Sequence, residues 1–246
     1  MQAAPPHAHI GANRLTLRLR RAAARPSDES ADHPNVSTAP ETVRVPTITV
    51  GLRPHPSSLP APDSNAAAET VSPVGMLLVT MRADPDGSAV FEFRLEDCRM
   101  SRLRLPAPVP PAAADELWKH TCFEVFMAVR DEPGYREFNF SPSGQWASYA
   151  FRAWRDRIDD FEPGADPQIE VERGEHGLLL RARLPAAALP SVPHGGELQI
   201  GLAAVIERSD GELEYWAVRH TPAQPDFHAR DTFVLMLRTY LAGAAK

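Results

Sequence analysis

The stretch "YREFNFSPSGQW", residues 135–146, decides how this chain is read. Polar and apolar side chains alternate up to Phe140, break at Ser141-Pro142-Ser143-Gly144, and resume on Trp146. Alternation at period two suits a strand, because successive side chains point to opposite faces. Pro142 supplies the fixed φ of a turn's second position and Gly144 closes it. Pairing Ser141 with Gly144 sets Asn139 opposite Trp146 and Glu137 opposite Ser148. On that register Phe138 and Phe140 share a core face with Ala147, Tyr149 and Phe151. Glu137, Asn139 and Trp146 are left on the other face.

Upstream, "TCFEVFMAV" puts Thr121, Phe123, Val125, Met127 and Val129 on one face and Cys122, Glu124, Phe126 and Ala128 on the other. A turn at Pro133-Gly134 sets Met127 opposite Phe140 and Ala128 opposite Asn139. Both hairpins then agree on the buried face, which supports a three-strand meander. Other strands follow the same pattern: "VGMLLVTMR", "AVFEFRL" with Phe91, Phe93 and Leu95 inward, "QIEVE" and "LLLRARL" around "RGEHG", and "FVLML" closing the fold. "LQIGLAAVIE" and "ELEYWAVRH" flank Asp210-Gly211, a two-residue hairpin signal that sets Trp216 opposite Val205 and His220 opposite Gly201. No long stretch has helical periodicity, so about ten short strands predict an all-β antiparallel sandwich.

The domain limits come from composition. All eighteen aromatics (four Trp, four Tyr and ten Phe) lie at or beyond Phe91, while 11 of the 25 prolines fall between Pro5 and Pro73. A Pro-, Ala- and Arg-rich segment without aromatics cannot offset its ordering entropy. Residues 1–50 are therefore expected to be a disordered extension, 51–240 the sandwich, with extended chain leading in as far as residue 72, and 241–246 a short tail. The net charge of −6 argues against a nucleic-acid partner, which rewards dense basic faces. No apolar run approaches the roughly 20 residues that span a bilayer, and no apolar export segment follows Arg20-Arg21. No membrane association and a cytoplasmic location are expected. Cys98 and Cys122 are expected to be free, buried thiols, in keeping with a reducing compartment.

The polar-aromatic face carries the functional expectation. Glu124, Glu137, Asn139, Trp146, Arg152 and Trp154 are placed there, joined from the later hairpin by Trp216 and His220. Aromatic rings beside amide and carboxylate groups suit a polyhydroxylated or planar small molecule, the ring covering C–H or π surface and the polar groups fixing orientation. The competing reading is a second small core under loops. Trp118 is expected to pack at a strand entrance. Catalytic signatures are missing: there is no G-x-S-x-G, P-loop, G-x-G-x-x-G or H-E-x-x-H. His120 and Glu124 lie four residues apart, about 13 Å on a strand, too far to share one ion. The loop "RHTPAQPDFHARD" gathers His220, Asp226 and His228, an alternative metal set or source of a haem ligand.

"DELWKHTCFEVFM", "YREFNFSPSGQWASYAF" and "YWAVRHTPAQPDFHARDTFVL" together resemble the bacterial DOMON-like proteins, which are related to family 9 carbohydrate-binding modules. The resemblance runs from about Leu52 to Leu237. It implies an immunoglobulin-like or jelly-roll β-sandwich that binds a sugar or a haem, and it assigns no individual binding residue. The expectation is a non-catalytic domain without a cofactor, binding a sugar-like small molecule around Asn139 and Trp146. Haem is the alternative ligand, and a protein-interaction module using the exposed aromatics is the third possibility.

Overall fold

The structure, a computed structural model, describes residues 46–59, 71–192 and 197–238. The extension assigned to residues 1–50 falls outside these up to residue 45, as does the tail at 241–246. Among the described residues there are eleven strands, β1 (Thr47–Pro54), β2 (Met76–Ala83), β3 (Ala89–Glu96), β4 (Cys122–Val129), β5 (Tyr135–Phe140), β6 (Trp146–Phe151), β7 (Gln168–Arg173), β8 (Leu178–Leu184), β9 (Glu197–Glu207), β10 (Leu213–Ala217) and β11 (Leu235–Arg238). Among the described residues the only helical pieces are three-residue 3₁₀ turns. The expected all-β class is the observed one.

Every strand pairing is antiparallel. One layer runs β1-β2-β3-β8-β7 and the other β6-β5-β4-β9-β10, with β11 beside the start of β9. β1 joins the two. Thr47 to Leu52 pair with β2, then Arg53 and Pro54 pair with Ala217 and Trp216 on β10. Residues 47–50 of this stretch, expected within the disordered extension, and 51–54, expected as extended chain leading in, form one integral strand of the sandwich. Leu52 on it is buried in the main core.

The main core lies between the layers. Leu77, Val79, Phe91, Phe93, Leu178 and Leu180 from one sheet meet Phe123, Val125, Met127, Phe138, Phe140 and Ile200 from the other. Alternation puts these residues inward and so fixes what faces outward. The outward side of β3 and β8 is charged and wet. Arg181 pairs there with Glu92 at 3.0 Å and Glu170 at 2.8 Å, and Arg183 with Asp84 at 2.9 Å. The outward side of β4, β5 and β6 differs: a second apolar cluster of Phe126, Tyr135, Tyr149, Phe151 and Phe233 covers it.

Three hairpins differ from the expected register, two of them for one reason. Gly144 N–H donates to Ser141 O at 3.0 Å and Ser141 N–H to Gln145 O at 2.9 Å, with Gly144 at φ 94°. Gly211 N–H donates likewise to Arg208 O at 2.9 Å, with Gly211 at φ 92°. Each loop has three residues ending in a left-handed glycine, rather than the two expected. One extra residue flips every following side chain to the opposite face. Phe140 thus pairs with Trp146 and Glu137 with Tyr149, while Trp216 pairs with Ala204. Trp146, 8% exposed, and Trp216, 4% exposed, therefore lie in the main core. Tyr149 and Phe151 move outward to the second cluster. The β4–β5 pairing also slides, with Met127 opposite Arg136 and Glu124 opposite Asn139. That slide spans an even number of residues, so the faces of β4 and β5 stay as expected.

Candidate functional site

Strand parity alone brings Glu124, Glu137 and Asn139 to the outward face of β4 and β5. Asn139 pairs across the ladder with Glu124, and Phe126 with Glu137, so the two carboxyls are diagonal neighbours. All three are buried. Asn139 Nδ2 donates to Glu137 Oε1 at 2.8 Å, but its Oδ1 is buried without a partner among the described residues. Burial and the adjacent Glu137 push the Glu124 carboxyl well above the ordinary carboxylate range. Burial likewise raises Glu137 to about 7.

Three segments cover this face. Leu117, in the turn before β4, packs on the second cluster, as does Phe227. The chain leaving β6 turns back at residues 152–157, and the stretch from Val218 to Val234 crosses from β10 to β11. A chain of hydrogen bonds ties the last two together. The Arg155 backbone N–H donates to Tyr135 Oη at 3.1 Å, and Tyr135 Oη lies 2.8 Å from His228 Nδ1. Asp226 accepts from Trp154 Nε1 at 3.0 Å, from Arg155 Nη2 at 2.9 Å and from the His228 backbone N–H at 3.2 Å. Burial works against ionising Asp226, but the bonds from Trp154 and Arg155 outweigh it and hold the carboxyl below its ordinary range. Desolvation lowers His228 to about 4, so its imidazole is neutral. Its Nε2 stands 3.7 Å from Glu137 Oε2.

The structure therefore splits the expected set. Glu124, Glu137 and Asn139 stand together, and Trp154 joins them through Asp226, Arg155 and Tyr135. Arg152 lies on the same loop, exposed and 3.4 Å from Asp156. Trp146 and Trp216 stand in the main core. The Trp216 indole N–H is taken up by Glu214 at 3.1 Å. His220 lies apart, with Nε2 on the Arg53 carbonyl at 2.7 Å and its ring edge-on to His55 at 5.0 Å. The alternative metal set, His220, Asp226 and His228, is not gathered into one ligand group. His220 is engaged elsewhere, Asp226 is filled by three donors, and among the described residues no group of three or more His, Cys, Asp or Glu could hold an ion. Sequence reasoning missed Tyr135, Arg155 and Asp226 as the groups that hold Trp154. The one available signal was Asp226 in a Pro-flanked loop, a residue type that accepts hydrogen bonds from neighbouring chain.

Trp118, expected to pack at a strand entrance, stands on the 3₁₀ turn before β4 but is half-exposed, with Lys119 Nζ 5.6 Å from its ring. His120 next to it turns to Glu207, Nδ1 to Oε2 at 2.8 Å. Cys98 and Cys122 are free and buried. Among the described residues no helix is long and apolar enough to cross a membrane.

No family model matches the chain, and no curated protein matches it. Among the solved structures that match is a "putative carbohydrate-binding protein" from Bacteroides uniformis, with 13% identity and a TM-score of 0.48, covering 76% of this chain and 84% of its own. At that level the likeness informs neither the ligand nor the site.

Proposed function

We propose that the chain is a non-catalytic binding domain for a small polyhydroxylated, sugar-like molecule, taken at the 152–157 loop where Trp154 stands. One observation carries the reading. Trp154 is 61% exposed, yet its indole N–H is held by Asp226 at 3.0 Å. A ring fixed by one edge, with the Arg155 guanidinium 5.8 Å from its centroid, has already lost much of the rotamer freedom that binding would otherwise remove. Arg155 beside it sits at φ 55°, a left-handed conformation costing a non-glycine residue about 1–2 kcal/mol. Such strain persists where neighbours over-determine it, and it concentrates at ligand clamps. Here Tyr135 and Asp226 supply the restraint.

The indole surface left exposed beyond Arg155 offers apolar area for the C–H face of a sugar ring. Arg152, Arg155 and Asp156 around it offer directional hydrogen bonds. Glu124, Glu137 and Asn139 stand behind this platform. The ligand therefore moves from the sheet face to its loop edge, and Trp154 replaces Trp146 as the stacking ring. The reading needs no cofactor. A haem would need an accessible ring nitrogen, whereas His220 Nδ1 is buried and His228 Nε2 faces Glu137 at 3.7 Å.

The test is a glycan array followed by calorimetry. Ring burial contributes roughly 1.5–3 kcal/mol and a neutral hydrogen bond about 1 kcal/mol. Trp154→Ala is therefore expected to weaken binding about ten- to a hundredfold, and Arg152→Ala less. A blank array, or unchanged affinity in a folded Trp154→Ala, contradicts the proposal.

A further inference from the structure

Beneath the platform, the hydrogen bonds run in one direction. Tyr135 Oη has a single proton and already accepts the Arg155 N–H at 3.1 Å. Its own proton therefore goes to His228 Nδ1, 2.8 Å away. That leaves the neutral imidazole with its proton on Nε2, towards Glu137 Oε2 at 3.7 Å. Glu137 accepts a hydrogen bond from Asn139 Nδ2 at 2.8 Å. Glu137 is thus faced by donors from two sides.

Glu124 is in the opposite position. Its carboxyl, on a residue only 3% exposed, receives no hydrogen bond from the described residues, and on its cross-strand partner Asn139, on the same face, Oδ1 is buried with no partner among them. An ionised Glu124 beside it would offer only further acceptors and leave the buried Oδ1 unpaired, which is costly. A carboxylic acid supplies the missing donor. We propose that Glu124 stands as a neutral acid whose proton is donated to Asn139 Oδ1, so that the buried carboxyl pair ionises only at Glu137.

The surroundings fit a single negative charge. The titratable groups facing the pair are Cys122 on β4, Tyr135 on β5, Tyr149 opposite Glu137 on β6, Arg155 and Arg157 from the turn after β6, and His228 from the closing loop. Arg155, the cation whose charge reaches both carboxyls, is itself shared with Asp226 at 2.9 Å. A second negative charge on Glu124 would face Glu137 with no donor of its own. The relay thus links the protonation of the buried pair to the two loops that hold Trp154. It stands whether or not a ligand binds at Trp154.

Infrared difference spectroscopy on the whole chain reads the proton directly. At about pH 8, far above the ordinary carboxyl range, the wild type is expected to keep the carbonyl band of one protonated carboxylic acid. Glu124→Gln should abolish that band, Glu137→Gln should keep it, and Asn139→Ala should shift it by removing the acceptor. Absence of an acid band at that pH overturns the proposal. So does a band that survives Glu124→Gln and disappears in Glu137→Gln, which would place the proton on the other carboxyl. Should Glu124→Gln fail to fold, a carbon-13 carboxyl titration of glutamate-labelled wild type decides the matter. One glutamate retaining the neutral-acid shift at about pH 8 supports the relay, and ordinary midpoints for every glutamate refute it.

Discussion

Glu137 and His228 face each other with opposite pH behaviour. Burial raises Glu137 from its ordinary 4.5 to about 7, so between those values the folded protein holds a proton that the unfolded chain has lost. Its contribution to stability is complete below about 4.5 and declines as pH rises towards about 7. His228 is lowered from 6.5 to about 4, so the unfolded chain holds its proton there, and its contribution is lost as pH falls through that range. The two slopes oppose each other in the wild type. Glu137→Gln removes one of them, and its unfolding free energy should rise relative to wild type as pH goes from about 4.5 to 7. Denaturant melts across that range check the sign, and a difference independent of pH would mean that Glu137 ionises normally. The outward placement of Glu124, Glu137 and Asn139 was legible because a strand's parity needs no knowledge of its partners. Their burial was not legible, since the cover comes from the aperiodic stretch between Val218 and Val234.

Among the elements, loop length mattered more than strand content. Every strand from β2 onward has an apolar alternation or run that can be read directly. β1 does not: "TITVGLRP" lies in a Pro-rich, aromatic-free region, and its role depends on partners far along the chain. The faces of β6 and β10 were misread because Ser-Pro-Ser-Gly and Ser-Asp-Gly each admit a two- or three-residue loop. The position of the glycine was the available clue: in the three-residue form it takes the last, left-handed place. Gly144→Ala and Gly211→Ala should each cost about 1–2 kcal/mol, the penalty of a Cβ in that conformation. Chemical denaturation measures this, and an unchanged midpoint in both would contradict the three-residue loops.

At the scale of the molecule, two sheets with similar inward faces have different outward ones. The charged ladder on β3 and β8 meets water, whereas the face of β4, β5 and β6 is roofed by loops and holds its acids beneath them. Fold class was legible from strand spacing and turn chemistry. The second core was recognised as a possibility, but only the true register shows which aromatics build it. Phe138→Ala and Phe140→Ala, in the main core, should each cost about 3–5 kcal/mol. Losses under about 1 kcal/mol would place those rings outside the core. The chain has four tryptophans, and their indole N–H signals give the most direct test of the binding account. In a nitrogen-15 spectrum assigned by single Trp→Phe variants, titration with the array's best glycan should move the Trp154 signal and leave those of Trp146 and Trp216 in place. Movement of the Trp146 or Trp216 signal with Trp154 still would contradict the account.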